Sequence, residues 1–476
     1  MSWGLIWQAF KNRDMRVRIM WVLFAIFIFR ALAFIPVPIA EPTQLHQLLD
    51  TLFKNQQLLG FLDLLSGGAL SQFSIVLLGL GPYINASIIM QLLTHAIPKL
   101  EELNKEGEMG RRKIGQYTRM IGLPLAIVQS IGFILLIRQQ ASQISGIDLT
   151  AGASIGQWVL MVATLTGGAM LLMWIGELIS EQGVGNGISL LIFAGIVSRL
   201  PGIISTLIST VTNDQTPLTL FGQWTLPISG PGTILLLLVI FVATLATYAV
   251  VKLNEAQRPI TISYAKRVRG NRAYGGVNTT LPVKLITAGV IPIIFAVALL
   301  SVPYFVGQLI SSSGTPWMAD LGSNLLIWFN PQGLANSTST TAASFIYPGA
   351  YFALVMMFTY FYTGIIFNAK EIAENLQKQG GFIGGIRPGP QTELYLKKVV
   401  NRLTLFGSTA LGLLAVMPFI IDALVIKIYG TPISNQLTIG GTGLLITVSV
   451  ALETLRQIES RALMVTYDSD KSPFLR

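Results

Sequence analysis

Hydrophobic residues in this chain come in long unbroken runs, with the polar residues gathered between them. Ten windows of about twenty mostly apolar residues, the length at which a helix crosses a hydrocarbon core, can be drawn. They fall at about 19–39, 73–97, 120–137, 156–178, 184–208, 232–252, 283–310, 346–368, 403–428 and 437–455. The fifth opens on glycines, and the ninth contains Pro418 and Asp422. The pattern predicts an all-α polytopic membrane protein of ten spans. A further apolar stretch, 61–72, is too short to cross. On its own residues it reads as a helix lying flat at the interface. The alternative is a segment that re-enters from outside and covers a pore.

An even number of spans puts both termini on one side, and the basic residues say which. Of the 32 Lys and Arg, 27 lie in the terminal segments and the loops on the side of the N-terminus. Toward the opposite side lie Lys54, Arg138, Arg199 and Lys427, the last two within the outer parts of the fifth and ninth windows, and Arg30 sits inside the first span. Positive charge collects on the cytoplasmic side of a membrane, so both ends are expected there. Two loops on that side, 252–284 and 369–402, are longer than turns and carry 13 basic residues between them. Setting topology needs only a few charges, so loops of this length point to a docked partner.

Composition removes most other classes. The chain has 476 residues, 52% apolar and 11% charged, with mean hydropathy +0.63. Soluble domains carry about 25% charged residues. There is no Cys, which excludes disulfides and thiol chemistry. His46 and His95 are too few for a histidine-built zinc site. No GxxxxGK[ST] sequence is present, and Gly183, Gly185 and Gly187 follow no strand, so nucleotide hydrolysis is not expected. The first apolar run, from Ile19, lacks a small-residue cleavage site and reads as a span and not a signal peptide. No catalytic pair stands out, and no cofactor or metal is expected.

Inside the spans, charge is scarce. Glu177, Asp422 and Glu453 fall near span ends, and Arg30 is expected to snorkel toward the outer interface. Ion-coupled pumps commonly keep a buried carboxylate near the midplane. Helix breakers are more informative. Gly79, Gly81 and Pro82 interrupt the second window, and Gly289 with Pro292 interrupts the seventh. These are equivalent positions if the chain is two five-span halves, 1–210 and 211–476, which an odd span count would make inverted copies. Beside the breaks and the glycines of windows five and ten stand Leu80, Ile84, Ile188, Ile192, Ile294 and Ile446. Only if they converge would they form a dewetted constriction. On these features alone, a secondary transporter of a small solute remains the alternative to a channel.

A set of local sequences then narrows the choice. They are SerGlyGlyAlaLeuSer (66–71), GlyProTyrIleAsnAlaSerIleIleMetGlnLeuLeu (81–93), GluGlyGluMetGlyArgArgLysIleGlyGlnTyrThrArg (106–119), GlyValGlyAsnGlyIleSer (183–189) and TyrAlaLysArg (264–267). LeuProValLys (281–284), AlaGlyValIlePro (288–292), GlyIleArgProGly (385–389) and GlyGlyThrGlyLeuLeuIle (440–446) follow in order. In these the chain closely resembles the SecY family, the channel-forming subunits of the bacterial Sec protein translocase.

The resemblance implies two five-helix halves closing around an hourglass pore in the cytoplasmic membrane. Unfolded polypeptide would pass through it, and hydrophobic helices would leave sideways into lipid. It implies that Leu80, Ile84, Ile188, Ile192, Ile294 and Ile446 form the constriction ring. It also implies that the 61–72 segment (Phe61, Leu62, Leu64, Leu65, Ser66, Gly67, Gly68, Ala69, Leu70) is a plug and not a flat helix. Spans two, three, seven and eight would form the lateral gate, with Ser87, Gln91, Gln129 and Thr287 as its polar residues. Lys266, Arg267, Arg269, Arg272 and Arg387 would dock the SecA motor ATPase and the ribosome. SecE and SecG are implied as small membrane subunits, and proteins bearing signal sequences as clients. Two departures from the family pattern are Asn271 before Arg272, where paired arginines are common, and Ile286, where a polar gate residue is common.

Overall fold

In the computed structural model of the chain, the residues described are 12–37, 66–70, 72–145, 154–212, 217–220, 224–264, 267–269, 272–274, 278–289, 291–311, 315–330, 345–429 and 435–471. Ten long helices coincide with the ten expected spans. They are α1 (Arg13–Leu32), α2 (Gly81–Ala96), α4 (Glu108–Ser145), α5 (Ile155–Glu181), α6 (Gly187–Thr212), α7 (Gly230–Glu255), α8 (Ile291–Ile310), α10 (Ile346–Ile366), α12 (Pro390–Tyr429) and α13 (Asn435–Lys471). Three shorter helices join them: α3 (Pro98–Lys105), α9 (Pro316–Trp328) and α11 (Ala369–Lys378). Among the described residues, six helices are long and apolar enough to cross a membrane by themselves. Of the remaining long helices, α1 carries Arg16, Arg18 and Arg30, while α2 has only 16 residues.

The shortness of α2 has a local cause. The second window was expected to be helical from 73, but residues 72–80 run as turns and helix begins only at Gly81. Gly79 takes a left-handed φ of +57°, and Pro82 stands in the first turn of the helix, where its missing N–H costs nothing. The turns are tied to the end of α1. Val37 N donates to Phe73 O at 2.9 Å, Ile75 N to Ile35 O at 3.0 Å, and Ser74 Oγ to Leu32 O at 2.7 Å. The seventh span repeats the device: Gly289 has φ +62° and α8 starts at Ile291, not at 283.

The all-helical expectation holds for the spans but not for the loops. The basic loop 252–284 contains β3 (Gln257–Tyr264) and β6 (Asn278–Lys284), paired antiparallel from Gln257↔Lys284 to Ser263↔Asn278. The other basic loop supplies β7 (Gly381–Ile383), which pairs with the far edge of β3. Ile260, Ile262 and Val283 from the first loop bury against Leu376, Ile383, Leu396, Val399 and Val400 from the second region. Two loops that read as separate in sequence thus share one sheet and one core. Smaller hairpins pair β1 (Pro217–Leu220) with β2 (Trp224–Ser229), and β4 (Arg267–Arg269) with β5 (Arg272–Tyr274). The outer segment 311–345, which had no assigned role, contributes α9. It folds back on α8 where Gly307 and Gly322 bring the two backbones together.

Candidate functional site

The six aliphatic residues singled out by their place beside helix breaks all belong to, or pack against, one large hydrophobic cluster. Leu80 caps α2 and Ile84 lies in its first turn. Ile192 belongs to α6, Ile294 to α8 and Ile446 to α13, and all five are buried in one hydrophobic cluster. Ile188, at the start of α6, is half-buried against the same cluster. The α5–α6 turn that delivers Ile188 and Ile192 is closely fitted. A side chain on Gly187 would collide with the Gly176 carbonyl, while Ser180 Oγ accepts from Gly187 N at 2.9 Å. Asn186 caps α6, its Oδ1 accepting from Ile188 N at 3.1 Å. In this turn Gly187 therefore serves close helix packing, while Gly183 supplies a left-handed φ of +64°.

Of the 61–72 segment, Phe61, Leu62, Leu64 and Leu65 lie outside the described residues. Ser66, Gly67, Gly68, Ala69 and Leu70 form a run of turns, in which Ser66, Ala69 and Leu70 are buried. Ala69 belongs to the same cluster as the aliphatic residues. Arg30, expected to snorkel, instead donates from Nη1 to the carbonyl oxygen of Gly67. The structure thus gives it a partner inside the protein.

The expected gate residues do not form one group. Gln91 Nε2 donates to Ser87 Oγ at 2.9 Å, one turn back along α2. Gln129 of α4 lies at the other end of α2, with its Oε1 3.8 Å from where a side-chain carbon on Gly81 would sit. Ten residues of helix separate the two glutamines along α2, about 15 Å. Thr287 is half-buried in the bend 285–289 before α8. A residue not singled out in the sequence completes the Gln91 pair: Tyr362 of α10 donates its hydroxyl to Gln91 Oε1. Its ring meets Phe295 of α8 edge-on at 5.3 Å, and one turn along α2 His95 meets Phe361 at 5.7 Å. The only sequence signal for Tyr362 was its place in an aromatic-rich eighth span.

Some charged groups near span ends have partners within the protein. Arg119 Nε donates to Glu177 Oε1 at 2.8 Å, joining α4 to α5. Arg461 and Arg18 both donate to the Gln182 carbonyl, at 2.6 and 3.3 Å. Of the expected docking residues, Lys266 lies outside the described residues. Arg267, Arg269 and Arg272 lie on the β4–β5 hairpin, with Arg269 opposite Arg272 in register. Arg387 is exposed at the tip after β7. That tip turns on Gly385 (φ +79°) and Gly389 (φ +100°), and the Arg387 carbonyl is held by Thr392 Oγ1 at 2.9 Å. No cluster of His, Asp or Glu suited to a metal occurs among the described residues.

Comparison with known proteins finds relatives of the same overall fold. The family model for SecY matches residues 74–455. The protein translocase subunit SecY of Corynebacterium glutamicum is 40% identical over 463 residues, covering 97% of this chain and 98% of that one. Among solved structures, a protein conducting channel superposes with TM-score 0.54 at 17% identity, over 92% of this chain and 90% of its own. A second, with TM-score 0.54 at 18% identity over the same shares, is a SecY protein whose plug domain stabilises the closed state of the translocation channel and maintains a membrane seal. A third, the idle yeast Ssh1 complex bound to the 80S ribosome, matches at TM-score 0.51 and 15% identity over 80% of this chain and 79% of its own.

Proposed function

The chain belongs to the SecY family and is a non-enzymatic, multi-pass protein-conducting channel; from that premise we propose how its own residues seal, open and feed the pore. Leu80, Ile84, Ile188, Ile192, Ile294 and Ile446 form the constriction. The single observation that supports this is that five of them, from four helices distant in sequence, are buried in one hydrophobic cluster and the sixth, Ile188, packs against it. An aliphatic collar offers a passing chain no hydrogen bonds to grip, and when empty it sheds water and so excludes ions. The small-solute transporter that the broken spans left open would need polar contacts at this point, and the collar has none to give.

Residues 61–72 act as the plug, with 66–70 its end nearest the second span. Its contact with the collar cluster through Ala69 supports this. The two halves, 1–210 and 211–476, part along the seam of spans two and three against seven and eight. There a signal sequence prefers the open form and shifts the population toward it. Ser87, Gln91, Gln129 and Thr287 are the polar residues of that seam. The Gln91–Tyr362 bond supports the first pair most directly.

Both termini face the cytoplasm of a bacterium, by the side on which 27 of 32 basic residues lie. On that face Lys266, Arg267, Arg269, Arg272 and Arg387 receive the SecA motor or the ribosome, whose RNA is a polyanion. SecE and SecG complete the membrane complex. The test is a stalled secretory chain with photo-crosslinkers placed along the pore. Crosslinks from Ile84 and Ile294 are expected. Their absence, with crosslinks confined to lipid-facing positions such as Phe241, would refute the constriction.

A further inference from the structure

We propose that Arg30 and Arg199 are positioning residues that clasp the turn 66–70 between the first and fifth spans and hold the idle channel shut. This rests on the plug reading above. A guanidinium within a span is costly to keep and needs a named partner. For Arg30 that partner is the Gly67 carbonyl, 37 residues away and on a different element. The Arg30 guanidinium carbon also lies 5.4 Å from the Phe34 ring centre, which fixes its direction.

The turn is shaped to this place. Gly67 and Gly68 have φ of +69° and +89°, which side-chain-bearing residues rarely adopt. A side-chain carbon on Gly67 would stand 2.9 Å from Gly195 Cα and 3.0 Å from the Phe29 ring. On Gly68 it would stand 3.2 Å from Arg199 Nε. One arginine therefore bonds the turn while the other walls it in. A cavity of about 170 Å³ adjoins them, lined by Arg30, Phe34, Gly67, Gly68, Ser198 and Arg199 among others. Its lining includes the polar side chains of Arg30, Gln72, Ser198 and Arg199, and it is large enough for several waters. Water can thus take over the guanidinium when the turn leaves, which makes the clasp reversible.

The test is the ion conductance of the purified idle translocase in planar bilayers, without substrate. Arg30→Gln shortens the side chain and removes a charge-assisted bond, so conductance should rise about tenfold. Gly67→Ala keeps both arginines but displaces the turn, and should leak comparably. Arg199→Gln, the milder variant, should leak less than either yet more than the wild type. Because Arg30 and Gly67 act through one contact, the double variant should leak no more than the stronger single one. Deletion of 61–70 separates the two readings. If the deletion leaks while all three point variants stay tight, the clasp is overturned and the plug stands. If the deletion itself stays tight, both fall.

Discussion

Replacing Tyr362 with Phe deletes one oxygen at the seam and leaves everything else in place. The hydroxyl donates to Gln91 Oε1, Gln91 is aimed by its 2.9 Å bond to Ser87, and the tyrosine ring is fixed edge-on to Phe295 at 5.3 Å. Tyr362 is only 4% exposed, so water cannot readily replace the lost donor in the closed state. One side-chain hydrogen bond contributes about 1 kcal/mol net. Because the bond joins α2 to α10 across the proposed seam, opening that seam would break it, so its loss should destabilise the closed state alone. A change of about 1 kcal/mol multiplies a small open fraction by about five. The assay is export of a secretory reporter whose signal sequence has been weakened until closed-state stability limits its rate. Tyr362→Phe should raise that rate up to about fivefold while leaving a reporter with a strong signal nearly unchanged. Gln91→Leu should act in the same direction, and the double variant should add little, since both changes remove one bond. An unchanged or lower rate at normal protein level would refute the idea that this bond biases the gate.

Other expectations follow from single residues. Arg387→Glu reverses charge on an exposed tip whose backbone is held by Thr392, so the fold should persist while motor-driven export in reconstituted vesicles falls severalfold. Ile294→Asn places an amide in the collar and should wet it; idle ion conductance should rise, and unaltered conductance would count against the dewetted seal. Gly381→Val should push β7 off β3, since even a first side-chain carbon would stand 3.0 Å from the Tyr264 ring and 3.3 Å from Ile262. Overpacking of this kind costs about 1–3 kcal/mol. Limited proteolysis should then cut 252–284 and 369–402 faster together, because the two loops share one core.

What the sequence revealed and what it hid divide along a physical line. The spans were legible because a bilayer demands length and apolarity, both of which are local properties. The breaks before α2 and α8 were legible because Gly79, Gly289, Pro82 and Pro292 advertise a backbone that cannot continue as helix. The burial of Ile84, Ile192, Ile294 and Ile446 in one cluster was not, since isoleucines facing lipid and isoleucines facing the protein interior give the same pattern. Nor was the β3–β7 pairing, which joins residues more than a hundred apart and in which β7, with three residues, is too short to show alternation. Tyr362 and the partner of Arg30 escaped for a related reason: a hydrogen bond between distant elements leaves no periodicity. Arg30 was visible as an anomaly, but its acceptor is a backbone carbonyl, and every residue has one.

The contrast between aliphatic and polar contacts decides what holds such a seam closed. In water, separating two buried isoleucines costs the transfer of both side chains. In a membrane the parted faces meet lipid tails that are about as apolar as the residues they left, so the aliphatic surface gives little bias either way. Ile88, buried in the main cluster one position beyond Ser87, illustrates the case. Its change to Val removes one methylene that packs about as well against lipid as against protein. The Gln91 and Tyr362 groups have no such substitute, since lipid tails offer neither donor nor acceptor. The bias should therefore sit in the few polar bonds that cross between helices, while the many apolar contacts set shape and exclude water. Ile88→Val should consequently shift weakened-signal export by less than twofold, well below the effect of Tyr362→Phe. If the aliphatic change proved the larger of the two, packing and not hydrogen bonding would govern the gate.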